Sequence, residues 1–204
     1  MTGIVAALLA AGASSRTAPD HKLMACDSSG TAMLTRSAAG LLASDVSRVL
    51  VLLPPMASAL VPCLTGLLPV SDRLSVHCVP AGRYELSATV GYAAALAERL
   101  SAAGLLILPG DMPLVKPETT DRIIGYFMGA DVPPDSVAPV CDRKTGHPVL
   151  WHARRLGDLQ ALTGDRGARA LLRDPALIHG RVAADESVLA DFDTPERLAL
   201  FATL

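Results

Sequence analysis

The sequence predicts an α/β fold with a mostly parallel sheet, and three observations carry that expectation. Short continuous apolar runs at 4–9, 49–53 and 105–108 read as strands buried on both faces. Longer segments of helical periodicity lie between them. Strands that alternate with helices in this way pair in parallel, because each crossover returns the chain to the same end of the sheet. The chain has 204 residues, with no internal repeat and no linker, which makes residues 1–204 one expected domain.

The first strand, 4–9, runs into a polar loop with Gly12, Ser14, Ser15, Pro19, Asp20 and the cluster Ser28-Ser29-Gly30. Thr31 is placed to cap a helix over 32–43. The strand at 49–53 is stopped by Pro54-Pro55, and 57–68 reads as a helix that Pro62 threatens. Residues 74–79 alternate and read as a strand, and 85–102 is a long alanine-rich helix. The buried strand at 105–108 ends at Pro109-Gly110-Asp111. Pro117 suits the first turn of a helix over 117–128. Strands at 137–140 and 148–151 flank the polar stretch 142–146, an antiparallel-looking pair that predicts a mixed sheet at one edge. The tail reads as a short helix at 154–162, a turn at 164–167, a short helix to Leu172, a strand at 178–182 and a helix after Pro195.

Composition narrows the function. Half of the residues are hydrophobic and 19% are charged, which excludes disorder. There are 33 Ala and 32 Leu against 7 aromatics, so the core is aliphatic and a base-stacking surface is not expected. A formal net charge of −2 argues against a general nucleic-acid partner. A small anion needs only a few local cations and stays open. The opening MTGIVAALLAAG lacks the positive start of a secretory signal and reads better as a strand feeding a loop. No apolar run reaches the roughly 18 residues that a membrane span needs. Cys26, Cys63, Cys78 and Cys141 form no CxxC, so buried free thiols in a reducing cytoplasm are expected rather than a zinc or redox site.

In open α/β sheets ligands lie outside the carboxyl ends of the strands. Two such ends carry chemistry. The first reads Leu9-Ala10-Ala11-Gly12-Ala13-Ser14-Ser15-Arg16, followed by Lys22. Small residues let backbone N–H groups approach a phosphate, and Arg16 and Lys22 add positive charge. Neither GxxxxGK[ST] nor GxGxxG is present, so the segment also reads as a plain strand-to-loop turn with two solvated cations. The second end reads Leu108-Pro109-Gly110-Asp111-Met112-Pro113. Asp111 there is placed either to hold Mg2+ against a substrate phosphate or to accept hydrogen bonds from its own loop.

LAAGASSR followed by Lys22 resembles the LAAGxSxRMG signature of the MobA-like nucleotidyltransferases, and Asp111-Met112-Pro113 resembles their DMP motif. Gly146-His147-Pro148-Val149-Leu150-Trp151 resembles GxPVLF, Gly164-Asp165-Arg166-Gly167-Ala168-Arg169 resembles GDxGAR, and Asp191-Phe192-Asp193-Thr194-Pro195-Glu196 resembles DxDTPE. Five ordered segments span the chain, and the set looks most like the molybdenum cofactor cytidylyltransferase branch. The resemblance implies a three-layer α/β/α, Rossmann-like nucleotide-diphospho-sugar transferase (GT-A-like) fold.

It also implies a reaction: CMP passes from CTP to the terminal phosphate of molybdopterin, with release of pyrophosphate and with Mg2+, or Mn2+ in its place, as cofactor. By the resemblance, Ala10, Ala11, Gly12, Ala13, Ser14 and Ser15 cradle the triphosphate, and Arg16 and Lys22 neutralise the leaving pyrophosphate. Asp111 and one of Asp191 and Asp193 hold the metal. Ser87 and Thr89 line the nucleotide, while Gly146, His147, Pro148, Gly164, Asp165 and Arg169 border the acceptor. His147 is given no acid–base work, and His21, His77, His152 and His179 are given no role. Thr194-Pro195-Glu196 is equally a good helix start. The sequence departs from the pattern at Thr17-Ala18, where the signature has Met-Gly. A guanylyltransferase, a sugar-nucleotide pyrophosphorylase and a non-catalytic molybdenum cofactor carrier are the competing expectations. The partners implied are small molecules, with room for transient contact with a molybdoenzyme or its chaperone, and with no nucleic acid and no membrane.

Overall fold

In a computed structural model the described residues are 3–12, 21–55, 59–67, 71–80, 85–164 and 167–204. Strands β1 (Ile4–Leu9), β2 (Arg48–Leu53), β3 (Leu74–Cys78) and β4 (Gly104–Pro109) are parallel, in the order β3-β2-β1-β4. Beyond β4 the sheet becomes mixed. Strand β7 (Val149–His152) is antiparallel to β4, and β5 (Ser136–Cys141) is antiparallel to β7. Strand β8 (His179–Ala183) pairs with β5 in parallel, and β6 (Lys144–Thr145) closes a hairpin on β5. The predicted mixed edge is therefore present.

The central strands have apolar residues at every position because helices cover both faces. Ile4, Ala6 and Leu8 of β1 face one cluster, with α1 (Met33–Leu42) and α3 (Pro117–Met128). Val5 and Ala7 face the other, with α2 (Leu86–Arg99) and α4 (Leu156–Gln160). Strands β2 and β4 divide between the two clusters in the same period of two. The result is a three-layer α/β/α architecture, in which α5 (Pro195–Phe201) adds Phe201 to the first cluster.

Four expectations are corrected. Thr31 does not cap α1: the helix begins after Ala32 without a side-chain cap. Instead the Thr31 amide donates to Asp27 Oδ1 at 3.0 Å, in a loop that Asp27 organises. The helix expected over 57–68 is only a short 3-10 turn, Val61–Leu64, among the described residues of that stretch, because Pro62 has no N–H to extend it. The stretch 142–146 is a hairpin rather than a bare loop. Asp142 and Arg143 both have positive φ, 46° and 68°, as a two-residue hairpin turn of this hand requires. The four cysteines are free but not buried; Cys26 and Cys78 are exposed.

Candidate functional site

The two predicted strand ends become neighbours because β1 and β4 pair in register, Leu9 opposite Pro109. This is also where the strand order turns: β2 and β3 lie on one side of β1, and β4 on the other. Such switch points leave a crevice beyond the strand ends. The Gly110 amide donates to the Leu9 carbonyl at 2.8 Å and joins the start of the two loops.

A cleft of about 260 Å³ opens there, lined by Ala10, Ala11, Gly12, Lys22, Thr89 and Asp111 among others. Ala10 and Ala11 are buried, and Gly12 is exposed. Lys22 begins a 3-10 turn, Lys22–Met24, and its ammonium forms an ion pair with Asp111 across the cleft floor. Leu23 anchors that turn, with its side chain 2% exposed beside Gly110. Ala13, Ser14, Ser15, Arg16 and Asp165, all named from the sequence, lie outside the described residues.

His21, to which no role is assigned from the sequence, lines the same cleft. Its Nδ1 accepts from the Leu23 amide at 3.3 Å, so Nε2 carries the proton and donates to the Gly12 carbonyl at 3.2 Å. The imidazole thus ties the end of the β1 loop to the turn that holds Lys22. Burial, and then the Lys22 charge, lowers its pKa, against the opposing pull of the Gly12 carbonyl. Its position next to Lys22 was the only signal for this in the sequence.

A second space of about 320 Å³ adjoins the first and shares Pro109 and Asp111 with it. Its other walls include Gly146, His147, Val188 and Asp191. Gly146 ends the β6 hairpin against the tail: a Cβ there would stand 2.3 Å from the Val188 carbonyl oxygen. The His147 amide donates to that same oxygen at 2.9 Å. The His147 ring lines the space, and its Nδ1 is covered and finds no hydrogen-bond partner among the described residues. Burial lowers its pKa, while the Ile107 carbonyl, Asp111 and Asp191 oppose that shift, so the imidazole is neutral near pH 7. Pro148 follows through a cis peptide bond.

The tail supplies the second carboxylate. Asp191 lines the space beside Asp111, whereas Asp193 does not, so the structure separates the two candidates. Asp191 Oδ1 also accepts from Arg197 at 2.9 Å. Thr194 caps α5 as the sequence predicts, accepting from the Arg197 amide at 3.4 Å. Among the described residues no three His, Cys, Asp or Glu side chains gather to hold a metal. Two hard carboxylates on one cleft nevertheless suit a divalent cation whose other ligands are phosphate oxygens and water. The residues present therefore fit Mg2+ or Mn2+.

Two further assignments part company. Thr89 is on the wall of the first cleft, while Ser87 is buried at the start of α2 away from it. Gly164, at φ 76°, donates its amide to Glu85 Oε2 at 3.0 Å. Gly164 therefore lies at the start of α2, and neither Gly164 nor the exposed Arg169 lines the space around His147. The sequence could not separate them, since both motifs lie in the same stretch of chain.

Comparison with known proteins agrees with this fold. No curated protein matches the chain. The structure of Rv0371c from Mycobacterium tuberculosis superposes over 100% of both chains, with a TM-score of 0.82 and 25% identity. A complex of Rv0371c with manganese gives 0.76 and 24% over 98% of each. Mth528, a nucleotidyl transferase from Methanothermobacter thermautotroptrophicus, gives 0.79 and 20% over 98% of this chain and 96% of that one. These likenesses bear out the Rossmann-like nucleotide-diphospho-sugar transferase fold. Residues 6–182 match the MobA-like NTP transferase domain, and the chain belongs to that family.

Proposed function

We propose that the protein transfers CMP from CTP to the terminal phosphate of molybdopterin and releases pyrophosphate. The observation that carries this reading is the position of Asp111 on the wall shared by two adjoining spaces. A nucleotide in the first and an acceptor in the second would meet beside that carboxylate.

The chain's contribution is position and charge. On this reading the segment from Ala10 to Ser15 would bind the triphosphate, and Lys22 and Arg16 would neutralise its β- and γ-phosphates. Thr89 and Leu86 wall the nucleotide side. Gly146, His147 and Pro148 border the acceptor. An acceptor phosphate oxygen attacks the α-phosphorus, and the bond from that phosphorus to the bridging oxygen breaks. Pyrophosphate leaves with the electron pair, and Arg16 and Lys22 offset its growing charge. A divalent cation bound by Asp111 and Asp191 would polarise the phosphoryl oxygens. Manganese in a complex of the similar Rv0371c supports divalent metal use.

Pyrophosphate release tests the reading, with Mg2+, CTP or GTP, and molybdopterin. Release that needs both CTP and molybdopterin is expected. Release with GTP alone would replace the nucleotide, and cofactor binding without release would mark a carrier.

A further inference from the structure

The Lys22 ammonium lies on the Asp111 carboxylate, and both side chains are largely withdrawn from solvent, at 19% and 15% exposure. Asp111 follows the buried strand β4 by two residues, and Lys22 is held in place by the buried Leu23 and by the His21 bridge to Gly12. The pair is therefore built in from two anchored segments rather than formed by long side chains meeting by chance on the surface. Its location matters because Asp111 is, among the described residues, the one carboxylate common to both spaces.

A carboxylate oxygen that accepts from an ammonium presents its lone pair to that ammonium. A divalent cation entering at the same oxygens would meet a like charge within a few ångströms, in a cleft with weak solvent screening. What can draw Lys22 away is an anion in the first cleft, which Lys22 also lines.

We propose that Lys22 is a resident counter-ion for Asp111, exchanged for the divalent cation when the triphosphate enters. Lys22 turns from the carboxylate to the phosphates, and Asp111 is released to the metal in the same event. Nucleotide and metal then bind with positive coupling, and by linkage each strengthens the other equally. When pyrophosphate departs, Lys22 returns to Asp111 and the metal is released with it. The free protein consequently keeps its metal site closed to a bare ion. This inference rests on the reading that Asp111 is a metal ligand.

Mn2+ binding to the nucleotide-free protein, followed by electron paramagnetic resonance, tests it without any turnover. Wild type should bind Mn2+ weakly, and Lys22→Arg should do the same. Lys22→Met and Lys22→Gln remove the counter-ion and should tighten Mn2+ by about tenfold or more. Adding Asp111→Asn to either neutral variant should cancel the gain. Circular dichroism melts show which variants are folded, and either neutral variant suffices. Neutral variants that bind Mn2+ no tighter than wild type, while Asp111→Asn still weakens it, overturn the counter-ion role and leave Asp111 a ligand. Mn2+ binding untouched by Asp111→Asn in every background overturns the ligand reading, and the inference with it.

Discussion

The amide of Phe192 donates to the backbone carbonyl of Asp111 at 3.0 Å. One hydrogen bond thus joins residues 81 positions apart and fixes the tail across the end of β4. Phe192 is buried against Phe201, with ring centroids 5.4 Å apart, so the segment cannot slide. Its neighbour Asp191 is left facing the space that Asp111 also lines.

Asp111→Asn should keep the fold, because it is near-isosteric and the backbone bond to Phe192 survives. It should remove most metal-dependent turnover, by about a hundredfold, since one negative ligand is lost. Asp191→Asn should fall in the same direction and Asp193→Asn less. Steady-state pyrophosphate release for the three variants checks this, and activity within about threefold of wild type for Asp111→Asn would sink its assignment.

Arg16→Ala and Lys22→Ala should each weaken triphosphate binding and slow pyrophosphate departure. If both cations contact one pyrophosphate, the double variant should lose less than the sum of the single losses. Full additivity in kcat/KM would separate them.

CTP should raise the melting temperature more than GTP in the presence of Mg2+. Ala11 is buried on the cleft wall, and its methyl group narrows the space beside the loop. A contact of this size shifts selectivity by about 1–3 kcal/mol, so Ala11→Gly should narrow the gap between the nucleotides. A larger shift with GTP in parallel titrations would overturn the cytidylyl reading and leave the fold untouched.

Gly146→Ala should cost about 1–3 kcal/mol of stability, because its Cβ would collide with backbone rather than with a flexible side chain. The hairpin and the tail must then part, which displaces Asp191. Chemical denaturation, read beside Mn2+ affinity, distinguishes this from an ordinary surface change.

Acid should destabilise the protein in two steps. Burial lowers the pKa of His147, His77, His152 and His21 from the ordinary 6.5. The unfolded chain therefore takes up protons first, and this stability is complete above about 6.5 and lost as pH falls toward the depressed folded values. Hydrogen bonds from Ser29 to Asp27, and from Lys116 to Asp185, hold those carboxyls at about 2, against an ordinary 3.8. Their contribution is complete above about 3.8 and is lost as the pH falls through about 2. Melting temperature against pH should show both steps, and His147→Gln should flatten the first.

Much of this was legible in the chain. Residues 4–9, 49–53 and 105–108 are apolar at every position because they are buried on both faces, and that pattern needs no tertiary knowledge. Pro117 and Thr194-Pro195 mark helix starts through local backbone chemistry, and both helices begin there. The DMP segment singled out Asp111 through its resemblance to the family motif, since a carboxylate after a buried strand reads equally as a ligand or as an acceptor for its own loop.

Other features belong to the folded molecule alone. Thr31 looked like a cap, but Asp27 took its amide, since side chains compete for the same donors over a few residues. Asp191 and Asp193 are equivalent in sequence, and only the bond from Phe192 to Asp111 decides which faces the cleft. His21 carries no assignable role until Gly12 and Leu23 are brought to its two nitrogens. Lys22 and Asp111 stand 89 positions apart, and parallel pairing of β1 with β4 makes them partners. Periodicity records how each residue is buried, and so the sequence determined the layers. Which side chains meet at the strand ends depends on strand order and register, which are set by long-range pairing and leave no local trace.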